Sequence, residues 1–352
     1  MIPPGETIGI LGGGQLGRML AMAAAQLGYR THIYAPEADS IAAEVSAAFT
    51  QGAWDDAVAL SRFAADCAVI TYEFENIPIA ALAALGDVRL HPNIGAMETA
   101  QDRLNEKQFV EQLGGRPAPW AAVDTRADLA AAVARIGAPG ILKTRRDGYD
   151  GKGQWRIKEA ADAAWLELPD VPLVYEGFVR FSAEFSVLLC RGADGDVRFW
   201  DTPQNTHDGG ILSRSNVPAG PAVTTHVSKA RVLAKRVAEA LDYVGVLTLE
   251  FFATHEGPVF NEMAPRVHNS GHWTIEGALT SQFENHIRAV CGLPLGDTAL
   301  ACCSMEMRNL IGDAVEDWTR ILSDPCNHLH LYGKAAARPG RKMGHVTRLV
   351  LE

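Results

Sequence analysis

The first hundred residues alternate short apolar runs with alanine-rich stretches, and that rhythm narrows the fold more than any other feature of the chain. Thr7–Leu11, Thr31–Tyr34, Cys67–Thr71 and Val88–Leu90 read as strands, with a helix from about Gln15 to Leu27 after the first. A helix after a strand returns the chain to the same end of a sheet, so the pattern predicts a parallel α/β sheet. The rhythm then changes. A charged helix is expected at Gln101–Leu113, then a strand at Trp120–Val123, a helix at Arg126–Ile136, a strand at Gly140–Thr144, a glycine-rich loop and further strands to Tyr175. Together these read as a small, separately folded lid. From Phe181 to Phe260, long runs rich in β-branched and aromatic residues, with one helix at His226–Leu241, predict an antiparallel sheet with helical cover. Beyond Pro294, short strand-like runs and turn signals at Asp324-Pro325 and Arg338-Pro339-Gly340 predict a β-rich module. The expected class is α/β and α+β. An N-terminal parallel α/β domain covers 1–98, a second domain covers 99–292 with a lid at about 117–178, and the β-rich module covers 293–352.

The formal net charge of −10 and pI near 5.6 argue against a broad electropositive face for nucleic acid, so anionic ligands have to be held by local basic clusters. No apolar stretch reaches the length of a membrane span, and the start, Met1-Ile2-Pro3-Pro4-Gly5-Glu6, lacks the pattern of a secretion signal. A cytoplasmic protein is expected. Cys67, Cys190, Cys291, Cys302, Cys303 and Cys326 form no Cys-x-x-Cys pair, which argues against a zinc site and a disulfide framework.

Four constellations carry chemistry. Gly12-Gly13-Gly14-Gln15-Leu16-Gly17 follows a strand and opens a helix, where backbone N–H groups hold an anion. A phosphate monoester fits this loop; a dinucleotide, with Glu37 near the distance for a ribose contact, or a tight turn without ligand also satisfies it. Tyr72-Glu73-Phe74-Glu75-Asn76 leaves the carboxyl end of a strand with two acids, suited to hydroxyl or amine binding or simply solvated. Lys143 ends an apolar strand and is followed by Asp147-Gly148-Tyr149-Asp150-Gly151-Lys152-Gly153-Gln154, which matches no Walker sequence. It reads as a flap over a nucleotide, with a hairpin loop as the alternative. Beyond it, Val174-Tyr175-Glu176-Gly177-Phe178-Val179 reads as a strand whose free edge could read a base, and Glu184 could accept two ribose hydroxyls. Finally, Leu247–Phe252 and Val259–Met263 each carry one acid, Glu250 and Glu262, on either side of Gly257-Pro258. A hairpin brings these carboxylates together, and an apolar setting tolerates such a pair only with a counter-cation such as Mg²⁺, with Asn261 as a third hard ligand. The donors of Arg266, His268, Asn269 and His272 follow.

The lysine strand, glycine loop, Glu-x-Phe hinge, late acids and Asn-Glu-Met-Ala-Pro-Arg run resemble the ATP-grasp superfamily across the whole chain. The run from Arg145, Asn261–Asn269, and Leu331–Lys334 with Arg341–His345 are similar to the family of 5-(carboxyamino)imidazole ribonucleotide synthetases. That resemblance implies an ATP-grasp fold and an ATP- and bicarbonate-dependent ligase that carboxylates aminoimidazole ribonucleotide through carboxyphosphate, with a formate- or glycine-using ribonucleotide ligase as the alternative; apart from the resemblance, the Gly12–Gly17 loop leaves a Rossmann-type oxidoreductase as a further alternative. It further implies ATP contacts from Lys107, Lys143, Gly148, Gly151, Gly153, Gln154, Glu176, Gly177, Phe178, Val179, Glu184, His207 and Asn261, and two magnesium ions on Glu250 and Glu262. Arg266, His268 and Asn269 would hold bicarbonate, and Tyr149, Asp150 and Lys152 would seal the reacting centre. The ribonucleotide would lie among Gly14, Gln15, Leu16, Glu73, Lys334, Arg341 and Lys342. A cytoplasmic homodimer is expected on the same ground.

Overall fold

The computed structural model describes residues 1–148 and 152–351. β1 (Thr7–Leu11), β2 (Arg30–Ala35), β3 (Ala48–Gln51) and β4 (Val69–Tyr72) form a parallel sheet in the order β3-β2-β1-β4. The helix Gln15–Gln26 buries Leu16, Met19, Leu20, Ala23 and Ala24, the spacing of a single helical stripe. Val88–Leu90, expected as a strand, makes only a bridge from Leu90 to Ile70. Pro92, two positions beyond Leu90, has no N–H with which to continue a ladder. The fourth place is taken instead by β3, a partly exposed edge strand without alternation. The helix expected at about 101–113 is Arg103–Gln112, starting where the Asp102 carboxylate accepts the Leu104 N–H at 2.9 Å and caps it, and a further helix, Ile94–Gln101, precedes it.

β5 (Trp120–Val123), β6 (Gly140–Thr144), β7 (Gln154–Ile157) and β8 (Leu173–Gly177) form a small antiparallel sheet in the order β5-β8-β6-β7. The helix Arg126–Ile136 buries Leu129, Ala132 and Val133, and Thr125 with Asp128 forms its capping box. The free edge expected of β8 is not there. Glu176 pairs with Trp120 on one side and Ile141 on the other. Leu173–Tyr175 are buried throughout, as befits an inner strand, and only the residues after Gly177 leave the ladder.

β9 (Ala183–Arg191), β10 (Val197–Phe199), β11 (Gln204–Asp208), β12 (Ile211–Val217), β13 (Gly245–Thr254), β14 (Gly257–Ala264), β15 (Ser304–Ile311), β16 (Asn327–Leu331) and β17 (Lys342–Val350) build a nine-stranded antiparallel sheet. Its order is β14-β13-β9-β11-β12-β15-β17-β16, with β10 also on β9, so the C-terminal module joins the central sheet edge to edge through β12 and β15. On one face of β9 and β13, Val187, Leu189, Leu247 and Leu249 pack with the helix Val227–Ala240. On the other, Leu188, Cys190 and Val246 pack with the helix Gln282–Val290, which also meets the helix Gln15–Gln26. His286 pins this junction: its Nε2 lies 2.8 Å from the Thr71 hydroxyl, and its Nδ1 accepts the Val246 N–H at 3.1 Å. Among the described residues, no helix is long and apolar enough to cross a membrane.

Gly140, paired with Gly177 of β8, leaves no room for a side chain. A methyl group there would lie 2.7 Å from the Glu176 carbonyl oxygen and would strike the Tyr175 hydroxyl. Gly140→Ala is expected to cost about 1–3 kcal/mol of stability through this overpacking, read as a lower midpoint in urea unfolding.

Candidate active site

The centre of the site is the pairing of β13 with β14. Glu250 stands directly opposite Glu262, and the register shifts immediately afterwards, so that Phe251 faces Phe260 and Asn261 is an extra residue. This bulge lets consecutive residues of β14, Asn261 and Glu262, line the same cavity. Burial, followed by the charge of Glu262, pushes the Glu250 carboxyl up to about 7. Burial acts upward on Glu262 too, but the Arg103 guanidinium at 2.9 Å, with Lys143 and Lys107 beyond, holds it below the usual range. The two facing carboxyls are thus driven apart in acidity, Glu250 upward and Glu262 downward.

Two cavities meet at this pair. The first, of about 430 Å³, is walled by Lys143, Gln154, Glu176, Gly177, Phe178 and Val179 from the small sheet and its exit, and by Glu184, His207 and Asn261 from the large sheet. The second, of about 420 Å³, is walled by Gly14, Gln15, Leu16 and Glu73 at the carboxyl ends of β1 and β4, and by Gly148, Arg266, His268, Asn269 and Lys342. Glu250, Glu262 and Arg103 line both. A third hollow, of about 230 Å³, adjoins Gly14 and Glu73 and places Lys334 and Arg341 across from Gly12–Gly14, with Glu37 also in its wall.

The charges within these walls are paired in ways the sequence does not reveal. Glu176 binds Lys107 at 3.0 Å and Lys143 at 2.8 Å. Burial alone would raise its carboxyl, but the two ammonium groups bring it to about 2. Lys143 is lowered by burial and by the neighbouring Arg103 and Lys107 charges, which outweigh Glu176. Lys107, expected at a phosphate, is fully enclosed behind the wall, with its Nζ also 3.4 Å from the Asn261 carbonyl. The Glu176 carboxylate is accordingly engaged with lysines and is not free to reach a base. Glu184 is hydrogen-bonded to His207 Nδ1, and the carboxylates of Glu184 and Glu250 raise that imidazole against the opposing effect of burial.

In the glycine loop, the anion at the backbone amides belongs to the protein itself. Glu73 accepts the Gly14 N–H at 2.7 Å and the Gly17 N–H at 3.3 Å. Gly12, at φ +111°, makes room for it, since a methyl group there would stand 2.7 Å from Glu73 Cγ. Leu11 pairs with Tyr72, so the register of β1 and β4 alone brings loop and acid together. Arg266 makes a two-pronged ion pair with Glu75, at 3.0 and 2.9 Å. His268 is kept neutral, its pKa driven well down by burial and then by the Arg266 and Lys342 charges, and its Nε2 lies 3.5 Å from Glu250. Both polar side-chain atoms of Asn269 are buried without a hydrogen-bond partner, as suits a residue awaiting a ligand.

Lys152 is exposed just before β7, and Gly153, at φ +67°, folds back so that its carbonyl accepts the Thr144 N–H at 2.9 Å. Tyr149, Asp150 and Gly151 lie outside the described residues. Two charged residues escaped the sequence reading. Arg103 joins both cavities, and its Nη2 also donates to the Gly148 carbonyl at 3.0 Å. Glu106 accepts the Met263 N–H at 2.6 Å, and burial, partly opposed by Lys107, raises its carboxyl to about 8.

A cleft between a small antiparallel sheet and a larger one, with an acid pair on its floor, defines an ATP-grasp fold, and comparison with known proteins agrees. The family model described as ATP-grasp domain matches residues 108–283, the ribonucleotide synthetase preATP-grasp domain matches 5–101, and the phosphoribosylaminoimidazole carboxylase C-terminal domain matches 306–350. The N5-carboxyaminoimidazole ribonucleotide synthase of Brucella melitensis is 50% identical over 99% of this chain and 97% of its own. The crystal structure of the Thermus thermophilus synthetase superposes with a TM-score of 0.90 at 48% identity, covering 97% of this chain and 93% of that one. The Aspergillus clavatus synthase in complex with ADP and 5-aminoimidazole ribonucleotide superposes at 0.91 and 32% identity, covering 98% and 94%. The chain belongs to the N5-carboxyaminoimidazole ribonucleotide synthase family.

Because Glu250 is raised from 4.5 to about 7 in the fold, the folded state binds more protons than the unfolded one between these values. Stability is lost as pH rises through that window. Glu250→Gln removes the loss. In metal-free buffer the variant is expected to be more stable than wild type at pH 8 by about 2–3 kcal/mol, with the difference vanishing near pH 4. Thermal unfolding at both pH values checks this.

Proposed function

We propose that this chain uses ATP and bicarbonate to carboxylate the exocyclic amine of 5-aminoimidazole ribonucleotide, a carbon–nitrogen bond-forming step of purine biosynthesis. The observation that carries the reading is the acid pair Glu250–Glu262 on the floor shared by two cavities, each large enough for one nucleotide. The Aspergillus clavatus relative holds ADP and the ribonucleotide together. The first cavity takes ATP, with Phe178 and Val179 at the base, Glu184 and His207 at the ribose, and Lys143 at the phosphates. Gly148 and Gln154 border the phosphate end.

Two carboxylates and the Asn261 amide are hard oxygen donors. Glu250 and Glu262 face each other directly across β13 and β14, with Asn261 beside them in the same wall. These residues fit magnesium shared with ATP phosphates, as one or two ions. When bound, the metal neutralises the charge that accumulates on the transferring phosphoryl group. The rest falls to the chain's own residues. Arg266, neutral His268 and the unpartnered Asn269 amide hold bicarbonate beside Glu250. A bicarbonate oxygen attacks the γ-phosphorus, ADP leaves, and carboxyphosphate forms. The ribonucleotide amine then attacks the carboxyl carbon, the carbon–oxygen bond to phosphate breaks, and the amine gives up a proton. Lys334 and Arg341 clamp the ribonucleotide phosphate against the Gln15 and Leu16 amides, Lys342 extends this basic wall, and Glu73 meets the ribose or the imidazole. Lys152, with Tyr149 and Asp150, keeps water from the labile acyl phosphate. The protein works as a cytoplasmic homodimer, a reading supported by family membership.

ADP release is measured with Mg-ATP in all four combinations of bicarbonate and ribonucleotide. Release that needs the ribonucleotide and rises with bicarbonate is expected; indifference to the ribonucleotide sinks the assigned reaction. Glu262→Gln is expected to lose turnover with its circular dichroism unchanged, and wild-type-like activity would refute the metal assignment. Arg341→Ala is expected to raise KM for the ribonucleotide about tenfold while leaving that for ATP in place, since a phosphate clamp supplies mainly ground-state binding.

A further inference from the structure

Three consecutive residues, at the break between the helices Ile94–Gln101 and Arg103–Gln112, hold three segments that are distant in sequence. The Gln101 amide is buried, and its Nε2 donates to the carbonyls of Glu75 at 2.8 Å and Ile77 at 2.7 Å. Its Oε1 accepts from Arg146 at 3.3 Å, which orients the amide so that its nitrogen faces the two carbonyls. Asp102 binds Arg145 at 3.0 and 2.7 Å and lies 3.4 Å from Arg146. The Arg103 N–H donates to the Arg145 carbonyl at 3.0 Å, and its guanidinium reaches Glu262 at 2.9 Å.

These bonds run from one cavity to the other. Glu75, whose carbonyl Gln101 grips, holds Arg266 through its carboxylate in the ribonucleotide cavity. Two positions along the chain from Gln101, Arg103 holds Glu262 at 2.9 Å in the wall of the ATP cavity. A ligand that draws on Glu73, Glu75 or Arg266 pulls on the 73–77 turn. That turn is hydrogen-bonded to the junction from which Arg103 projects. Coupling arises where two ligands bias one shared element, and this junction is bonded to the walls of both cavities.

We infer that Gln101 is a positioning residue that couples occupancy of the ribonucleotide cavity to the Arg103–Glu262 pair, so that ATP is turned over rapidly only when the ribonucleotide is in place. The inference rests on the assigned reaction. Its test separates the two, because wild type serves as the control for that assignment. ADP release at saturating Mg-ATP and bicarbonate is measured with and without the ribonucleotide for wild type, Gln101→Met and Arg146→Met. Methionine preserves the volume of glutamine and removes the donor. Arg146 is half-exposed, and its replacement frees the Gln101 amide without opening the core.

Gln101→Met is expected to lower the stimulation by the ribonucleotide about tenfold, the weight of two buried hydrogen bonds, with KM for ATP within about twofold of wild type. Arg146→Met is expected to lower it about threefold, as the loss of one weak hydrogen bond to Gln101 together with a half-exposed ion pair to Asp102 would. A purely structural role would change thermal stability and leave the ratio alone. Wild-type stimulation ratios in both variants would overturn the coupling, and should Gln101→Met fail to fold, the Arg146→Met ratio decides alone. A wild-type enzyme indifferent to the ribonucleotide would instead remove the reaction on which the inference stands.

Discussion

The structure depends on holding two carboxylates face to face across adjacent strands. Glu250 is buried and Glu262 opens on the cleft beside it, and the charge they share is met most directly by Arg103, 2.9 Å from Glu262. Everything around the pair serves that arrangement. The bulge at Asn261 turns two successive β14 side chains towards one cavity, the two-residue turn at His255-Glu256 sets the register by pairing Thr254 with Gly257, and the helix from Arg103 places a guanidinium where the second acid needs it. An acid pair of this kind is unfavourable for folding and useful for chemistry, since a cation or a phosphate-bound metal gains what the fold forgoes.

Around this centre, three sheets supply different services. The parallel sheet ends β1 and β4 side by side, which sets a glycine loop against Glu73 without any long-range device beyond strand register. The small sheet carries Lys143 on an inner strand, so its position is fixed by neighbours on both sides. The large sheet supplies the acids and, through the loop between β16 and β17, the basic residues of the third hollow. His286 ties the first of these sheets to the third through two hydrogen bonds.

Much of this was legible in the sequence, and what was not has a physical reason. The opposition of Glu250 and Glu262 follows from local information: two apolar runs, one short turn, one acid on each. The meeting of Gly12–Gly17 with Glu73 follows from the rule that parallel strands end together. Arg103 carried no such signal, because its partner Glu262 lies 159 residues away and nothing near Arg103 marks it apart from other surface arginines. Lys107 and Lys143 both read as cations for phosphate, yet a sequence does not say which acid takes up a charge, and Glu176 takes up both. The inner place of β8 was missed for a related reason: a strand's own pattern records how buried it is, not which neighbours flank it. β3 and the break at Asp102 are short-range features. β3 lacked alternation, and the helix Ile94–Gln101 that ends at Asp102 lies ahead of the charged run that marked the helix after it.

The lysine–glutamate–lysine triad has an asymmetry with consequences for how such a chain can drift. Losing either lysine leaves a neutral buried pair, an arrangement that a fold tolerates. Losing the Glu176 carboxylate first leaves two ammonium groups facing each other in an enclosed space, which it does not. As far as folding is concerned, substitutions at these three positions are therefore ordered: the anion is the last of the three that a lineage can surrender, even though it is the lysines that carry the charge a polyphosphate would seek.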